Sequence, residues 1–261
     1  MSTEGKAPAE IYDQLFVRTL FGRFVDLVLD AAEVKEGDRV LDVGCGTGAA
    51  AVAVSERVGA SGQVSGVDPN EEMLEVARKK DVPIEWKSGS AETIPYEDDT
   101  FDSVVSQFAF MYWPDQAKGL AECMRVLKPG GRLSVLVPSH IDHSPGFSVL
   151  AELIHRLFGT EIAEGFREPF SSGDPEMLEH RARGADIKNP EILRVTGNAL
   201  FSTPDEFVEA EGACIWSLGG MVSQDQLATL KTEARQSLRA FQSADGTVSV
   251  DIPCIIIKAR K

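Results

Sequence analysis

Residues 41–50 read "LDVGCGTGAA", and place three glycines in five positions directly after an apolar run. Glycine weakens the interior of a strand or a helix, so a cluster of this kind implies a tight turn or a close approach to the backbone. Upstream, "RVLDVG" (39–44) reads as a short buried strand. Downstream, "TGAAAVAVSERV" (47–58) reads as an alanine-rich helix. A strand, a glycine-rich loop and a helix in that order suit a nucleotide-type ligand lying on the loop. Gly44, Gly46 and Ala49 match the G-x-G-x-x-G/A spacing, a pattern that by itself also fits glycines merely turning a strand into a helix.

The surrounding chain extends this rhythm. "GQVSGVD" (62–68) is expected as a second strand, followed by the helix "EEMLEVARKK" (71–80). "VPIEWKSGS" (82–90), "TFDSVVSQF" (100–108) and "GRLSVLVPS" (131–139) are further strands. The helix "PDQAKGLAECMRVL" (114–127) precedes the last of them and ends at "KPGG". Alternating strands and helices imply a parallel, doubly wound α/β sheet with its ligand at the carboxyl ends of the strands. At the amino end, Ile11, Leu15, Phe16, Leu20, Phe24, Leu27 and Val28 fall near helical spacing and predict one helical segment. Past Ser139 the spacing predicts helices over 144–159, 174–184, 203–213 and 223–242, and β segments over 189–201 and 248–261. The whole chain, 1–261, reads as a single domain. It comprises an N-terminal helical lid (1–36), a cofactor-binding core (37–140) and cap insertions at 141–185 and 202–247.

Composition narrows the class. The formal net charge of −15 argues against a nucleic-acid partner, whose phosphates are met with basic surface. No apolar run approaches the length of a membrane span, and "MSTEGKAPAE" carries neither a basic region nor an apolar signal core, so a cytoplasmic protein is expected. Cys45, Cys123, Cys214 and Cys254 are far apart and form no CxxC pair, so no metal site is expected.

Two acids define the ligand further. Asp42 lies inside the first strand, where a buried carboxylate needs donors from loop amides or from a cationic group. A pyrophosphate would gain nothing from its charge. Asp68 ends the second strand, where a carboxylate accepts both hydroxyls of a ribose; the competing role is to cap the helix that follows. A ribose and a positively charged end, with no need for phosphate, describe S-adenosyl-L-methionine.

At this point four ordered segments, "VLDVGCGTG" (40–48), "VSGVDPNEEML" (64–74), "GSAETIPYEDDTFDSVVSQFAFMYWPD" (89–115) and "RVLKPGGRL" (125–133), resemble the successive motifs of the class I S-adenosylmethionine-dependent methyltransferases. The likeness is closest to the small-molecule group that includes the ubiquinone and menaquinone biosynthesis enzymes. The resemblance implies a Rossmann-like seven-stranded sheet with one antiparallel strand. It also implies roles by position. The backbone of Gly44, Cys45 and Gly46 passes under the methionine and ribose, Asp42 meets the amino group, and Asp68 binds the ribose hydroxyls. Pro69 and Met73 flank the adenine, Ser90 and Ala91 read its edge, and Ser106, Gln107 and Phe108 close over the sulfonium. Family members usually carry Asp-Ala where this chain has Ser90–Ala91, and a serine hydroxyl both donates and accepts.

Methyl transfer from a sulfonium is an in-line displacement with a neutral leaving group, so alignment and exclusion of water dominate. A base is needed only if the acceptor must lose a proton. The candidates are His140 and His143, after the fifth strand, and Tyr12. His155 and His180 read as packing and as helix-end charge. Tyr12, Phe16, Met111 and Trp216 are the candidate substrate-facing side chains, with an aromatic near the sulfonium favoured by cation–π attraction. The expected product is S-adenosyl-L-homocysteine, and the expected acceptor is a small, partly apolar molecule. Two other readings use the same loop: a nicotinamide-dependent oxidoreductase, and a non-catalytic S-adenosylmethionine-binding protein.

Overall fold

The computed structural model describes residues 7–214 and 217–261. In chain order its helices are α1 (Pro8–Tyr12), α2 (Val25–Ala31), α3 (Ala49–Val58), α4 (Glu71–Arg78), α5 (Gln116–Val126), α6 (Pro145–Phe158), α7 (Thr160–Arg167), α8 (Pro175–Gly184), α9 (Pro204–Ala213) and α10 (Gln224–Ser237). The strands are β1 (Arg39–Val43), β2 (Gln63–Asp68), β3 (Ile84–Ser88), β4 (Phe101–Gln107), β5 (Leu127–Pro138), β6 (Glu191–Phe201) and β7 (Val248–Arg260). They form one sheet in the order β3-β2-β1-β4-β5-β7-β6.

β1 to β5 pair in parallel. β7 runs antiparallel to β5: Gly130 donates to the Lys261 carbonyl near one end, and Ser139 donates to the Pro253 carbonyl near the other. This is the expected α/β, doubly wound, Rossmann-like architecture with one antiparallel strand. Its central strands are buried along most of their length, as expected where helices cover both faces.

Two compact units divide the chain. The first comprises Phe24–Val137, Ser172–Val195 and Cys254–Lys261. Its core gathers Leu41, Val67, Val104, Leu120, Leu133 and Ile257. Leu178 and Ala182 of α8 pack into the same cluster, so this helix, expected within the 141–185 insertion, belongs to the sheet's own core. At the amino end of the strands, a buried ion pair ties the sheet together. Arg132 donates to Asp38 at 2.6 Å and to the Ser103 hydroxyl. Asn70 caps α4 and Asp115 caps α5, each accepting helix amides through its side chain.

The second unit comprises the described residues up to Arg23, Pro138–Ser171 and Thr196–Pro253. Its interior is aromatic: Phe147 meets Phe166, Phe170 and Phe207, and Phe207 stacks on Phe201 at 4.4 Å. Ser223 and Gln226 form a reciprocal capping box at the start of α10.

Three segments depart from the sequence expectation. The single helix expected over the amino-terminal segment is broken into α1, a π-helical turn (Asp13–Val17), a 3-10 turn (Phe21–Arg23) and α2. The Thr19 hydroxyl donates back to the Leu15 carbonyl at 2.6 Å, and Gly22 lies so close to the Val17 carbonyl that a side chain would collide with it. Back-bonding and a glycine both loosen a helix. The "KPGG" break lies within β5: Leu127 already pairs with Phe101, and residues 128–131 bulge out before Arg132 pairs with Ser103. Gly130 takes φ +80° in this bulge. Finally, α7 follows Gly159, whose φ of +88° ends α6 and turns the chain into a helix that periodicity did not suggest.

Candidate functional site

The glycine loop leaves β1 and is held against the end of β2. Gly44 and Cys45 both donate to the Val67 carbonyl, at 2.8 and 3.1 Å. Gly46 donates to Asp68 Oδ2 at 2.8 Å, and Asn70 donates to Asp68 Oδ1 at 2.8 Å. Asp68 therefore clamps the loop and orients the turn into α4, while the cap itself is Asn70, which receives the Glu72 and Met73 amides. A carboxylate has about four lone-pair positions, so two acceptor directions remain for a ligand.

The three glycines have different reasons to be there, although all take positive φ. A Cβ on Gly44 would lie 2.3 Å from the Ala109 Cβ, and one on Gly48 would lie 2.5 Å from the Trp86 ring. Those two glycines are required by packing. A Cβ on Gly46 would meet nothing within 4 Å. Gly46 alone borders open space, and it lies directly beside the Asp68 carboxylate.

Asp42 is 1% exposed. Its carboxylate accepts the Ala51 amide in the first turn of α3, and Oδ2 has no partner. Burial first, then the nearby charge of Asp68, push its pKa up to about 7, against the lowering effect of the Ala51 bond. Burial also raises Asp68, opposed by its two amide bonds. Cys45 is pushed well up by burial and by both carboxylates, which makes it a poor nucleophile. Two further buried hydroxyls here, Thr47 Oγ1 and Ser106 Oγ, lack partners. Unsatisfied buried polar atoms thus lie near the carboxyl ends of β1 and β4 and in the glycine loop itself. Buried polar groups left in this way call for a ligand that pairs with them.

The other expected residues of this unit are distributed along the same strand ends. Pro69 is exposed, Met73 and Ala91 are buried, and Ser90 forms an isolated antiparallel bridge with Thr93. Gln107 and Phe108 are half-buried at the end of β4. Met111 is half-buried in a 3-10 turn (Phe110–Tyr112), while Trp113 is buried edge-on to Phe110. The sequence pattern does not single out Thr47, Trp86 or Ala109. The glycine inside β2, Gly66, was the available signal for Trp86: a strand glycine marks a close neighbour, and a Cβ there would meet the Trp86 ring at 2.6 Å.

His140, His143, Tyr12 and Phe16 belong to the second unit. His143 Nδ1 shares a hydrogen bond with the buried Ser139 hydroxyl at 2.9 Å. His140 is exposed and lies 3.4 Å from the Asp142 carboxylate. Tyr12, Phe16 and Phe21 form a three-ring cluster with centroids 5.4–5.6 Å apart. Trp216 lies outside the described residues.

A groove of about 370 Å³, lined by Arg39, Gln63, Ser65 and Glu85 among others, opens at the amino ends of β1, β2 and β3. Ligands of doubly wound sheets bind at the carboxyl ends, so the groove is separate from the glycine loop.

Among the described residues no helix is long and apolar enough to cross a membrane. A demethylmenaquinone methyltransferase of Bacillus mycoides is 38% identical over 144 residues, covering 52% of this chain and 61% of that protein. The chain thus spans about three fifths of that relative's length. The demethylmenaquinone methyltransferase of Staphylococcus carnosus is 33% identical over 183 residues, covering 65% of this chain and 76% of the relative.

Among solved structures, the YcgJ protein of Bacillus subtilis superposes with a TM-score of 0.60 at 22% identity, covering 91% of this chain and 97% of that one. Phosphoethanolamine N-methyltransferase 2 of Haemonchus contortus, solved with S-adenosyl-L-methionine, superposes with a TM-score of 0.61 at 19% identity, covering 97% of this chain and 56% of that one. These two likenesses concern the fold. The model of the ubiE/COQ5 methyltransferase family matches residues 17–164, which include the glycine loop, Asp42, Asp68 and the end of β4, and the chain belongs to that family.

Proposed function

We propose that the protein transfers a methyl group from S-adenosyl-L-methionine to a small, partly apolar acceptor of the quinone type. The observation that carries this reading is the unpartnered Asp42 Oδ2, buried near Asp68 at the loop where Gly46 faces open space. A cationic ammonium would neutralise the buried carboxylate, and a ribose diol would use the remaining acceptor directions of Asp68. A nicotinamide dinucleotide would instead bring a pyrophosphate toward two carboxylates. The names of the curated relatives, both demethylmenaquinone methyltransferases, support a quinone-type acceptor.

When bound, S-adenosyl-L-methionine supplies an activated methyl on a sulfonium whose departure needs no proton. The chain supplies the rest. Gly44, Cys45 and Gly46 form a floor of backbone, Pro69 and Met73 flank the adenine, and Ser90 and Ala91 read its edge. Ser106, Gln107 and the backbone of Phe108 border the methionine end. Alignment and exclusion of water are the main contributions to rate. If the acceptor carries a proton, His140, His143 and Tyr12 are the candidate bases. His143 is the best prepared, because Ser139 holds its Nδ1 and leaves Nε2 for proton exchange. Tyr12, Phe16, Met111 and Trp216 are the proposed acceptor-facing side chains. The four buried cysteine thiols suit a reducing, cytoplasmic setting, and the acidic net charge disfavours nucleic acid as acceptor.

Calorimetry with S-adenosyl-L-homocysteine tests the cofactor, and mass spectrometry of demethylated quinone analogues incubated with S-adenosyl-L-methionine tests transfer. Binding with a stoichiometry of one and a mass gain of one methyl are expected. Absence of binding overturns the whole reading; binding without transfer to any acceptor favours the non-catalytic alternative.

A further inference from the structure

Phe108 takes φ +53° at the end of β4. It is the one aromatic residue with positive φ among the described residues; the other non-glycine examples are Glu33, Asp99, Asp186 and Asn189. Asparagine and aspartate tolerate this region through their short polar side chains, whereas a bulky residue there is an outlier. Strain of this kind persists only where the surroundings impose it.

Three contacts impose it here. The Phe108 amide donates to the Leu136 carbonyl at 2.9 Å, which holds the turn to β5. The Phe108 ring packs edge-on against the fully buried Phe24 ring at 5.1 Å, just before α2. The next residue, Ala109, is pressed onto Gly44, where a Cβ would lie 2.3 Å from the Ala109 Cβ. Gly44 in turn is bonded to Val67, and Gly46, two residues on, to Asp68. The left-handed turn at Phe108 is therefore what brings β4's continuation against the first glycine of the loop.

We infer that Phe108 is a positioning residue: it sets the glycine loop through its backbone conformation, by docking Ala109 on Gly44, and not through contact of its ring with a ligand. This inference rests on the proposed cofactor site but concerns the loop itself, so it is readable with and without ligand. A valine at 108 resists positive φ because its branched Cβ crowds the backbone; an asparagine accepts it; both lose the ring contact with Phe24.

The experiment compares Phe108→Val with Phe108→Asn in the full chain. Amide hydrogen exchange of Gly44 and Gly46 is measured without ligand, and affinity for S-adenosyl-L-homocysteine by calorimetry. Phe108→Val is expected to speed exchange at both glycines and to weaken binding at least tenfold. Phe108→Asn is expected to restore most of both. With turnover, the loss in Phe108→Val is expected in KM for S-adenosyl-L-methionine rather than in KM for the acceptor. If Phe108→Val fails to fold, Ala109→Val, which crowds Gly44 from the other side, carries the same expectation, with Ala109→Ser restoring the loop.

Equal exchange and equal affinity in the valine and asparagine variants overturn the inference, because the ring contact would then account for everything. A wild-type chain that binds no S-adenosyl-L-homocysteine overturns the methyltransferase reading instead. The exchange comparison still decides the role of Phe108 in that case.

Discussion

The Asp68 carboxylate holds the Gly46 amide at 2.8 Å, so the one glycine of the loop that borders open space is fixed to the end of β2 by a residue suited to bind the ligand as well. The same side chain orders the loop and presents its remaining lone pairs outward. Loop geometry and ligand affinity are thus expected to fail together when it is removed.

Replacement of Asp68 by alanine should weaken S-adenosyl-L-homocysteine by about 3 kcal/mol, roughly a hundredfold in Kd, since hydrogen bonds to a charged acceptor are lost. Asp68→Asn keeps a carbonyl acceptor but loses the charge and should fall between alanine and wild type. Isothermal calorimetry of the three proteins checks the order. An alanine variant that binds as tightly as wild type would remove Asp68 from the site.

Asp42 makes both stability and binding depend on pH. Its folded pKa is about 7, above the unfolded value of about 3.9, so between these limits the folded state holds the extra proton. The contribution of this group to stability is full at the acid end, declines as pH rises toward 7, and stays lost above it. Asp68, also raised by burial, and Glu211, raised to about 7 by burial in the second unit, add slopes of the same sign. Asp42→Asn should remove its share, so thermal melts of the variant between pH 5 and pH 8 should be flatter than those of wild type. A cationic ligand pairs with the ionised form. Binding of S-adenosyl-L-methionine near pH 6.5 should therefore release protons, visible as a buffer-dependent heat that Asp42→Asn lacks. Identical heats in buffers of different ionisation enthalpy would contradict this.

The loop glycines should separate by role. Gly46→Ala has room for its methyl but puts it into the open space proposed for the ligand, and it adds about 1–2 kcal/mol of backbone cost at positive φ. Its loss of affinity should exceed its loss of stability. Gly48→Ala collides with the Trp86 ring and should lose stability first. Trp86→Ala in the same chain should recover part of that loss, because the clash is with the ring and only the φ penalty remains. Chemical denaturation of the single and double variants measures the coupling; strictly additive losses would mean that Trp86 does not constrain Gly48.

Much of the sheet-bearing unit was legible from periodicity. Buried parallel strands such as "RVLDV" and "RLSVLVP" are rich in valine and leucine, and Asn70 and Asp115 mark helix starts with side chains that bond to free amides. The amino-terminal segment was less legible. Its apolar spacing is helical, but the Thr19 back-bond and the close approach of Gly22 to Val17 break the helix, and these contacts, four and five residues apart, leave the apolar spacing itself unchanged. The bulge at residues 128–131 reads as a break in the sequence because its register is set by β4 and by Lys261, neither of them local.

The sequence by itself determined the alternation of strands and helices from β1 to β5, the glycine loop, and the acids Asp42 and Asp68, because each depends on local spacing and residue type. Only the tertiary structure decided what each glycine is for. Ala109 lies 65 residues from Gly44 and Trp86 lies 38 from Gly48, and close packing of such distant groups leaves no trace in local pattern. "LDVGCGTGAA" thus holds two glycines that answer to the protein's own interior and one, Gly46, that borders open space.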